Sequence, residues 1–225
     1  MRRVTTALAS VLLAIAAGTS LAASEADEIL ALAGVKGGLV VHLGCGDGRL
    51  TAALRASDAF VVQGLTTNQR DLAAARERVR KLDLYGPVTI APFDGKHLPY
   101  ADNIVNLLVA ESLGGVASEE AMRVLAPGGA LCTRRDGRWA TTVKPRPGNT
   151  DDWTHFLHDP SGNAVSRDIV VGPPRRVQWL ADPPHTRSHE HTSSMAAMVS
   201  SNGRVFYIMD EGPVSYTHLT LPTKA

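Results

Sequence analysis

Short apolar segments alternate with longer amphipathic segments along the first two thirds of the chain. The apolar runs predict five strands, at residues 39–43, 60–65, 88–91, 104–110 and 130–133. Periodic apolar positions between them predict helices at residues 25–33, 49–56, 69–82 and 118–125. Strands that alternate with helices form a parallel sheet covered on both faces, with ligands at the carboxyl ends of the strands. The pattern therefore predicts an α/β, Rossmann-like domain at residues 24–140.

Two capping residues mark where predicted helices begin. Asn68 is expected to cap the helix at residues 69–82, and Ser24 the helix at residues 25–33. Both residue types carry a side-chain oxygen that can accept a hydrogen bond from an N–H group of the first turn.

A glycine-spaced loop follows the first strand directly, at residues 43–48. Its Gly-x-Gly-x-Gly spacing differs from the Gly-x-Gly-x-x-Gly spacing of dinucleotide-binding loops. One glycine permits the sharp turn, one lets a ligand approach the backbone, and one lets helix and strand pack closely. The N–H groups of the loop and the dipole of the next helix favour a polar or anionic ligand group.

Composition and charge are those of an ordinary globular protein of one to two domains. The chain has 225 residues, 44% of them hydrophobic and 20% charged, and a formal net charge of +1. This near-neutral balance gives no electrostatic support for binding nucleic acid or an anionic membrane. Cys45 and Cys132 lie far apart without the spacing of a disulfide framework, and we interpret them as buried free thiols.

Residues 1–22 have the pattern of a secretory signal peptide. Two arginines precede a short apolar run, and Ser20 and Ala22 are the small residues that a signal peptidase recognises. The apolar run is short for a membrane span. We expect cleavage after Ala22 or Ala23, a secreted or periplasmic protein, and no membrane attachment after cleavage. The alternative is a retained N-terminal anchor.

The composition changes after the α/β domain. Residues 141–175 are interpreted as a Pro- and Gly-containing linker and lead-in, and residues 176–213 as short strands. Residues 195–200 and 204–209 form a predicted strand pair joined by Ser201-Asn202-Gly203, which has hairpin turn chemistry. His155 and His158 have a spacing that would place them on one helix face, and His189 and His191 are also close in sequence. A metal site is one interpretation of these pairs, but no cysteine cluster or known metalloenzyme signature accompanies them. We therefore interpret them as loop or interface histidines and assign no metal site.

Three motifs, in order, resemble those of class I S-adenosylmethionine-dependent methyltransferases. They are the end of the first strand with the glycine loop, at residues 41–48, the stretch at residues 93–103, and Met122-Arg123-Val124-Leu125-Ala126-Pro127-Gly128-Gly129. The resemblance covers about residues 25–133 and implies S-adenosylmethionine as the cofactor.

The resemblance also implies roles for individual residues. Gly44, Gly46 and Gly48, with Cys45 between them, would surround the methionine end of the cofactor, and Asp94 would bind the adenine amino group. His42 stands where the family often has an acid. Thr66 stands where the family usually has the acid that binds both ribose hydroxyls, and Asn106 where many relatives have an acid. Glu111 is either a substrate-side carboxylate or a solvated helix-cap residue.

Residues 200–208 resemble the repeat core of quinoprotein-like (PQQ-type) β-propellers. One blade cannot bury its own faces, so the rest of a propeller would be missing from this chain. Residues 214–223 resemble the in-frame translation of a sequencing adapter, and we therefore expect residues 214–225 to be a non-native tail and the chain to be a fragment.

These observations predict an exported methyltransferase-like protein that transfers a methyl group to an unknown acceptor. One alternative is a catalytically degenerate binding or scaffold module attached to a propeller. The other is part of a quinoprotein oxidoreductase.

Overall fold

The computed structural model describes residues 21–170, 172 and 195–209. The chain divides into two compact units, Met1–Arg146 and Pro147–Ala225. Within the described ranges, no helix is both long and apolar enough to cross a membrane. Most of the predicted signal peptide and the whole of residues 214–223 lie outside these ranges.

The first unit contains four helices and six strands among its described residues. The helices are α1 (residues 21–33), α2 (Arg49–Ala53), α3 (Gln69–Lys81) and α4 (Ser118–Val124). The strands are β1 (Gly38–Leu43), β2 (Phe60–Thr66), β3 (Val88–Pro92), β4 (Val105–Ala110), β5 (Leu125–Arg135) and β6 (Arg138–Val143).

The six strands form one sheet in the order β3-β2-β1-β4-β5-β6. Strands β1 to β5 pair in parallel, and β6 pairs antiparallel to β5. Strands β2 and β3 lie on one side of β1 in this order, and β4 and β5 lie on its other side, so the strand order reverses between β1 and β4. Ligands of open α/β sheets bind at such a switch point, beyond the carboxyl ends of the strands. The predicted Rossmann-like fold is confirmed.

Apolar side chains pack against both faces of the sheet. On one face, Ile29 of α1 and Ala75 and Val79 of α3 belong to a buried cluster. On the other face, Ala121 and Val124 of α4 belong to a second cluster. The sheet is therefore the middle layer of a three-layer domain, as its nearly continuous apolar strands require.

The main local differences from prediction occur at α1 and β6. Ser24 does not begin α1, because residues 21–23 are already helical. Strand β6 was not predicted; it returns from β5 through Asp136-Gly137 and places Trp139 in the core with 6% of its surface exposed. Asn68 does cap α3, since its side chain accepts a hydrogen bond from the Arg70 N–H.

In the second unit, strands β7 (Met195–Ser201) and β8 (Arg204–Met209) form an antiparallel hairpin. Asn202 and Gly203 connect them with φ angles of 52° and 76°, which suit a tight type I′ turn. The predicted strand pair is confirmed. The rest of the predicted short strands, at residues 176–194, lies outside the described residues, as do His189 and His191.

The predicted common helix face for His155 and His158 is wrong. These residues exchange backbone hydrogen bonds of 3.1 Å in each direction, so they face each other across a tight turn rather than along a helix. His158 has a φ of 73°, which no regular helix contains.

Candidate functional site

The glycine loop after β1 has two kinds of glycine. Gly44, Gly46 and Gly48 all have positive φ angles, of 68°, 49° and 80°. A Cβ on Gly48 would lie 2.9 Å from the Ala75 Cβ, so this glycine lets α3 approach the loop closely. A Cβ on Gly44 or Gly46 would meet no atom within 4 Å. The loop is thus packed on one side and open on the other.

Neighbouring elements fix the loop at both ends. The Gly44 and Cys45 N–H groups both donate to the Leu65 carbonyl oxygen of β2, at 2.8 and 3.2 Å. The Asp47 carboxylate lies 2.9 Å from Arg49 Nε and 3.1 Å from Arg78 Nη2. These contacts set the shape of the loop without a ligand.

His42 and Cys45, at the start of the loop, have buried side chains. His42 on β1 has 4% of its surface exposed, and its Nδ1 lies 2.8 Å from the Thr51 Oγ1 of α2. Burial lowers the pKa of His42 to about 4, so the ring is neutral near pH 7. Burial raises the pKa of Cys45 to about 11 and keeps its thiol protonated. Neither side chain supplies a charge at this position.

Thr66 ends β2 next to the glycine loop. Its side chain is buried, with 3% exposed, and its Oγ1 accepts a hydrogen bond of 3.0 Å from the Asn68 N–H. A hydroxyl has one proton to donate and two lone pairs that accept, and the Asn68 N–H occupies one of these lone pairs. Thr66 therefore offers a ligand no charge and fewer acceptor sites than a carboxylate would.

Asp94 follows β3 and is held by its own loop. Its Oδ1 accepts hydrogen bonds from the Lys96 and His97 N–H groups, at 2.8 and 2.7 Å, and its Oδ2 lies 2.6 Å from the His97 Nδ1. These backbone hydrogen bonds, with the His97 side chain, hold the pKa of Asp94 well below its usual range. The carboxylate is ionised and fixed, and its Oδ2 keeps capacity for another donor.

The sheet brings these residues to one edge. Leu43 pairs with Leu65 of β2 and with Ala110 of β4, so the loops after the three strands begin level with one another. Glu111, directly after β4, is exposed and lies 3.2 Å from the Arg134 Nη1 of β5. Asn106 lies toward the opposite edge, where its Oδ1 accepts from the Leu39 N–H at 2.9 Å.

Sequence reasoning missed Arg123, which it treated only as part of a turn motif. Arg123 pairs with Glu120 at 2.7 Å and with Asp102 at 2.6 Å, and donates to the carbonyl oxygens of Leu98 and Tyr100. It thereby ties the segment between β3 and β4 to α4. An arginine one turn after a glutamate on a short helix was the available signal.

The histidines of the second unit are engaged in local contacts. His158 is buried, its Nε2 lies 2.6 Å from Asp151 Oδ2, and its ring meets Trp153 edge-on at 5.2 Å between centroids. The His155 Nδ1 lies 2.9 Å from the Thr154 Oγ1. No group of three His, Cys, Asp or Glu side chains suited to a metal ion occurs within the described part of the chain.

Residues 40–129 match the family model for "Methyltransferase domain". Methyltransferase GfsG of Streptomyces halstedii is 36% identical over 98 residues, which are 41% of this chain and 35% of that protein. The chain spans about a third of the length of this curated relative.

Two solved structures are also similar to this chain. The [4+2]-cyclase SpnF is 28% identical, with a TM-score of 0.45 over 49% of this chain and 43% of that one. Geranyl diphosphate C-methyltransferase from Streptomyces coelicolor A3(2) is 22% identical, with a TM-score of 0.45 over 49% and 44%. The residues that match the family model, 40–129, include most of β1 and all of β2, β3 and β4 of the Rossmann-like sheet.

Proposed function

We propose that the first unit binds S-adenosylmethionine at the glycine loop and transfers its methyl group to an acceptor molecule. The observation that carries this proposal is the open side of the loop. Gly44 and Gly46 have positive φ angles and empty space where a Cβ would project. Such positions let a ligand approach the backbone. The loop follows β1, at the switch point of the sheet.

The surrounding residues fit most of this cofactor. The backbone of the loop would hold its methionine end, and the Asp94 carboxylate, fixed by two N–H groups, could accept a hydrogen bond from the adenine amine. Thr66 fits the ribose less well, because a hydroxyl replaces a carboxylate that would accept from both ribose hydroxyls. We therefore expect binding that is weaker than an acidic residue at this position would give.

The chain itself would contribute mainly positioning. When bound, the cofactor supplies an electrophilic methyl group on a sulfonium. An acceptor at the carboxyl edge of β4, near Glu111, would have its nucleophilic atom aligned with that group. Holding two reactants in line can contribute many powers of ten in rate. No side chain beyond this geometry is needed for an acceptor that is already nucleophilic.

A second candidate is a site that binds a ligand without catalysis, as part of a scaffold. The Thr66 Oγ1 supports it, because this uncharged atom already accepts from the Asn68 N–H and has fewer acceptor sites left for a ribose than a carboxylate would have. Losing two hydrogen bonds to an ionised acceptor costs about 1.5–3 kcal/mol each, or several powers of ten in affinity.

Calorimetric titration of S-adenosylmethionine into the full chain separates these candidates. We would compare the unmodified chain with Thr66→Asp and Gly46→Val. Micromolar binding that Gly46→Val abolishes supports the methyltransferase proposal. Binding by Thr66→Asp alone supports the degenerate site. Absence of binding in all three chains contradicts a cofactor site at the loop.

We further propose that the protein is exported and that the second unit begins a PQQ-type β-propeller. Residues 1–22 support export. The hairpin of β7 and β8 supports a larger β structure, because Val205 and Phe206, on its opposite faces, are 56% and 53% exposed. An isolated two-stranded hairpin is marginally stable. A quinoprotein oxidoreductase is supported only by the repeat resemblance.

Mass spectrometry of the exported protein tests the signal peptide: a mature chain should begin at residue 23 or 24.

A further inference from the structure

The hairpin that connects β5 to β6 carries two arginines in direct opposition. Arg135 and Arg138 are cross-strand partners on either side of the turn Asp136-Gly137. Both side chains are exposed. Side chains of directly opposed residues lie on the same face with Cβ atoms about 4.5–5.5 Å apart, and like charges in this position are destabilising. The pair therefore needs an explanation.

Arg134, the neighbouring arginine of the same hairpin, differs from this pair because its charge has partners. Arg134 stacks on the Trp139 ring, with 5.4 Å from its Cζ to the ring centroid. It also pairs with Glu111 at 3.2 Å and Glu25 at 3.6 Å. Arg135 points to the other face of the strand. Among the described residues, neither Arg135 nor Arg138 has an ion pair or a side-chain hydrogen bond.

The arginine pair lies at the ligand edge of the sheet. Leu43 is level with Ala110, and Ala110 with Thr133, across β1, β4 and β5. Arg135 is two residues beyond Thr133, which places it roughly 7 Å past that level at about 3.3 Å per residue. Two strand spacings of about 4.8 Å separate β5 from β1. The pair is thus on the order of 10 Å from the start of the glycine loop.

We propose that Arg135 and Arg138 form an anion-binding site that holds a phosphate or carboxylate group of the methyl acceptor. Two guanidinium groups on one face can each donate two hydrogen bonds to such a group, and its negative charge removes their mutual repulsion. The assignment of this anion to the acceptor rests on the proposed function; the anion site itself does not.

Melting of the full chain in phosphate tests the site. Sodium phosphate and sodium chloride would be compared at the same pH and ionic strength, because salt alone screens the repulsion between the arginines. The chains are the unmodified protein, Arg135→Gln/Arg138→Gln, and Arg138→Glu. Arg80→Gln is the control, since Arg80 is an exposed arginine on α3 that is paired with Glu77. We expect phosphate to raise the melting temperature of the unmodified protein and of Arg80→Gln only.

Arg138→Glu gives a second, independent result. It replaces a like-charge pair with an opposite-charge pair, so in chloride this variant should melt above the unmodified protein while it loses the response to phosphate. An equal phosphate shift in the unmodified protein and the double variant would overturn the proposal. So would the absence of a shift in the unmodified protein.

Titration of S-adenosylmethionine into the same chains separates this proposal from the proposed function. The arginine variants should bind it as the unmodified chain does, because they do not contact the glycine loop. A chain that responds to phosphate but does not bind S-adenosylmethionine would contradict the proposed function and support the anion site. A chain that binds S-adenosylmethionine but shows no response to phosphate would support the cofactor site and contradict the anion site at the arginine pair.

Discussion

Arg78 binds Asp47 through two of its nitrogen atoms, although the residues are 31 positions apart. Its Nε donates to the Asp47 carbonyl oxygen at 2.9 Å, and its Nη2 donates to the Oδ2 at 3.1 Å. Ala75, nearly one turn earlier on α3, packs on Gly48. The helix that follows β2 therefore fixes the shape of the glycine loop that follows β1.

Removing this contact should weaken ligand binding more than it weakens the fold. In Arg78→Ala we expect the affinity for S-adenosylmethionine to fall about tenfold, or about 1.4 kcal/mol. Without Arg78 the loop is less ordered in the free protein, and binding must then supply the free energy that orders it. The free energy of unfolding should fall by about 1 kcal/mol or less, as for other solvent-accessible ion pairs. Calorimetry and urea unfolding measure the two effects. Arg80→Ala is the matched control; an equal loss of affinity there would contradict the role of Arg78.

The two kinds of glycine in the loop predict different phenotypes for the same substitution. Gly48→Ala should destabilise the fold by about 1–3 kcal/mol, since its Cβ would lie 2.9 Å from the Ala75 Cβ at a φ of 80°. Gly46→Ala meets no atom within 4 Å. It should cost stability only through its positive φ, about 1–2 kcal/mol, and should weaken S-adenosylmethionine binding. Thermal melting and calorimetry on both variants check this; strong binding by Gly46→Ala would contradict a ligand at the open side.

Local signals explain what the sequence could predict. Asn68 is followed by a helical run, and Asn202-Gly203 lies between apolar segments, so a cap and a hairpin were both visible. The turn at Asp136-Gly137 carries the same kind of signal, and it could have identified β6. The resemblance to methyltransferases ends at about residue 133, before β6, and so gives no indication of this strand.

Contacts between residues far apart in the chain explain the features that the sequence could not predict. Nothing local shows that His158 pairs with Asp151 across a turn or that Arg78 reaches Asp47. A spacing of three residues suggested a helix face for His155 and His158, but polar contacts within the segment favour a turn. Thr66 was identified by position, and only the structure shows its hydroxyl accepting from the Asn68 N–H.

Arg123 should stabilise the segment between β3 and β4. The Leu98 N–H donates to Glu120 Oε1 at 2.8 Å, and the Leu98 carbonyl accepts from Arg123 at 3.2 Å. Arg123→Ala leaves the Asp102 and Glu120 carboxylates without their partner. We expect it to lower the free energy of unfolding by about 1–3 kcal/mol and to speed hydrogen exchange at the amides of residues 98 and 100–102.

The conservative variant and the pH give two checks on this contact. Arg123→Lys keeps the charge but not the planar fork, so it should recover only part of the loss. The hydrogen bond from Arg123 lowers the pKa of Glu120 to about 2, from an ordinary 4.5. Stability from this pair is therefore present above about pH 4.5 and is lost as the pH falls toward 2. Identical acid unfolding of the unmodified protein and Glu120→Gln would contradict this assignment.

His42 should make the fold sensitive to mild acid. Burial lowers its pKa to about 4, from an ordinary 6.5. Between these values the unfolded chain takes up a proton and the folded chain does not, so stability is complete above pH 6.5 and declines as the pH falls to 4. The decline attributable to His42 amounts to about 3 kcal/mol. Urea unfolding at several pH values, for the unmodified protein and His42→Asn, measures it.

The comparison of the two chains isolates this histidine, because the titrating carboxylates are common to both. His42→Asn keeps a polar group that can face Thr51 and should be less stable at pH 7, where the neutral imidazole packs best. Its stability should nevertheless fall less between pH 6.5 and 4, and the two curves should converge. Parallel curves over this range would mean that His42 is protonated in the folded chain, and the neutral pairing with Thr51 would then be wrong. Convergence would assign to His42 a structural role under the glycine loop, joining β1 to α2.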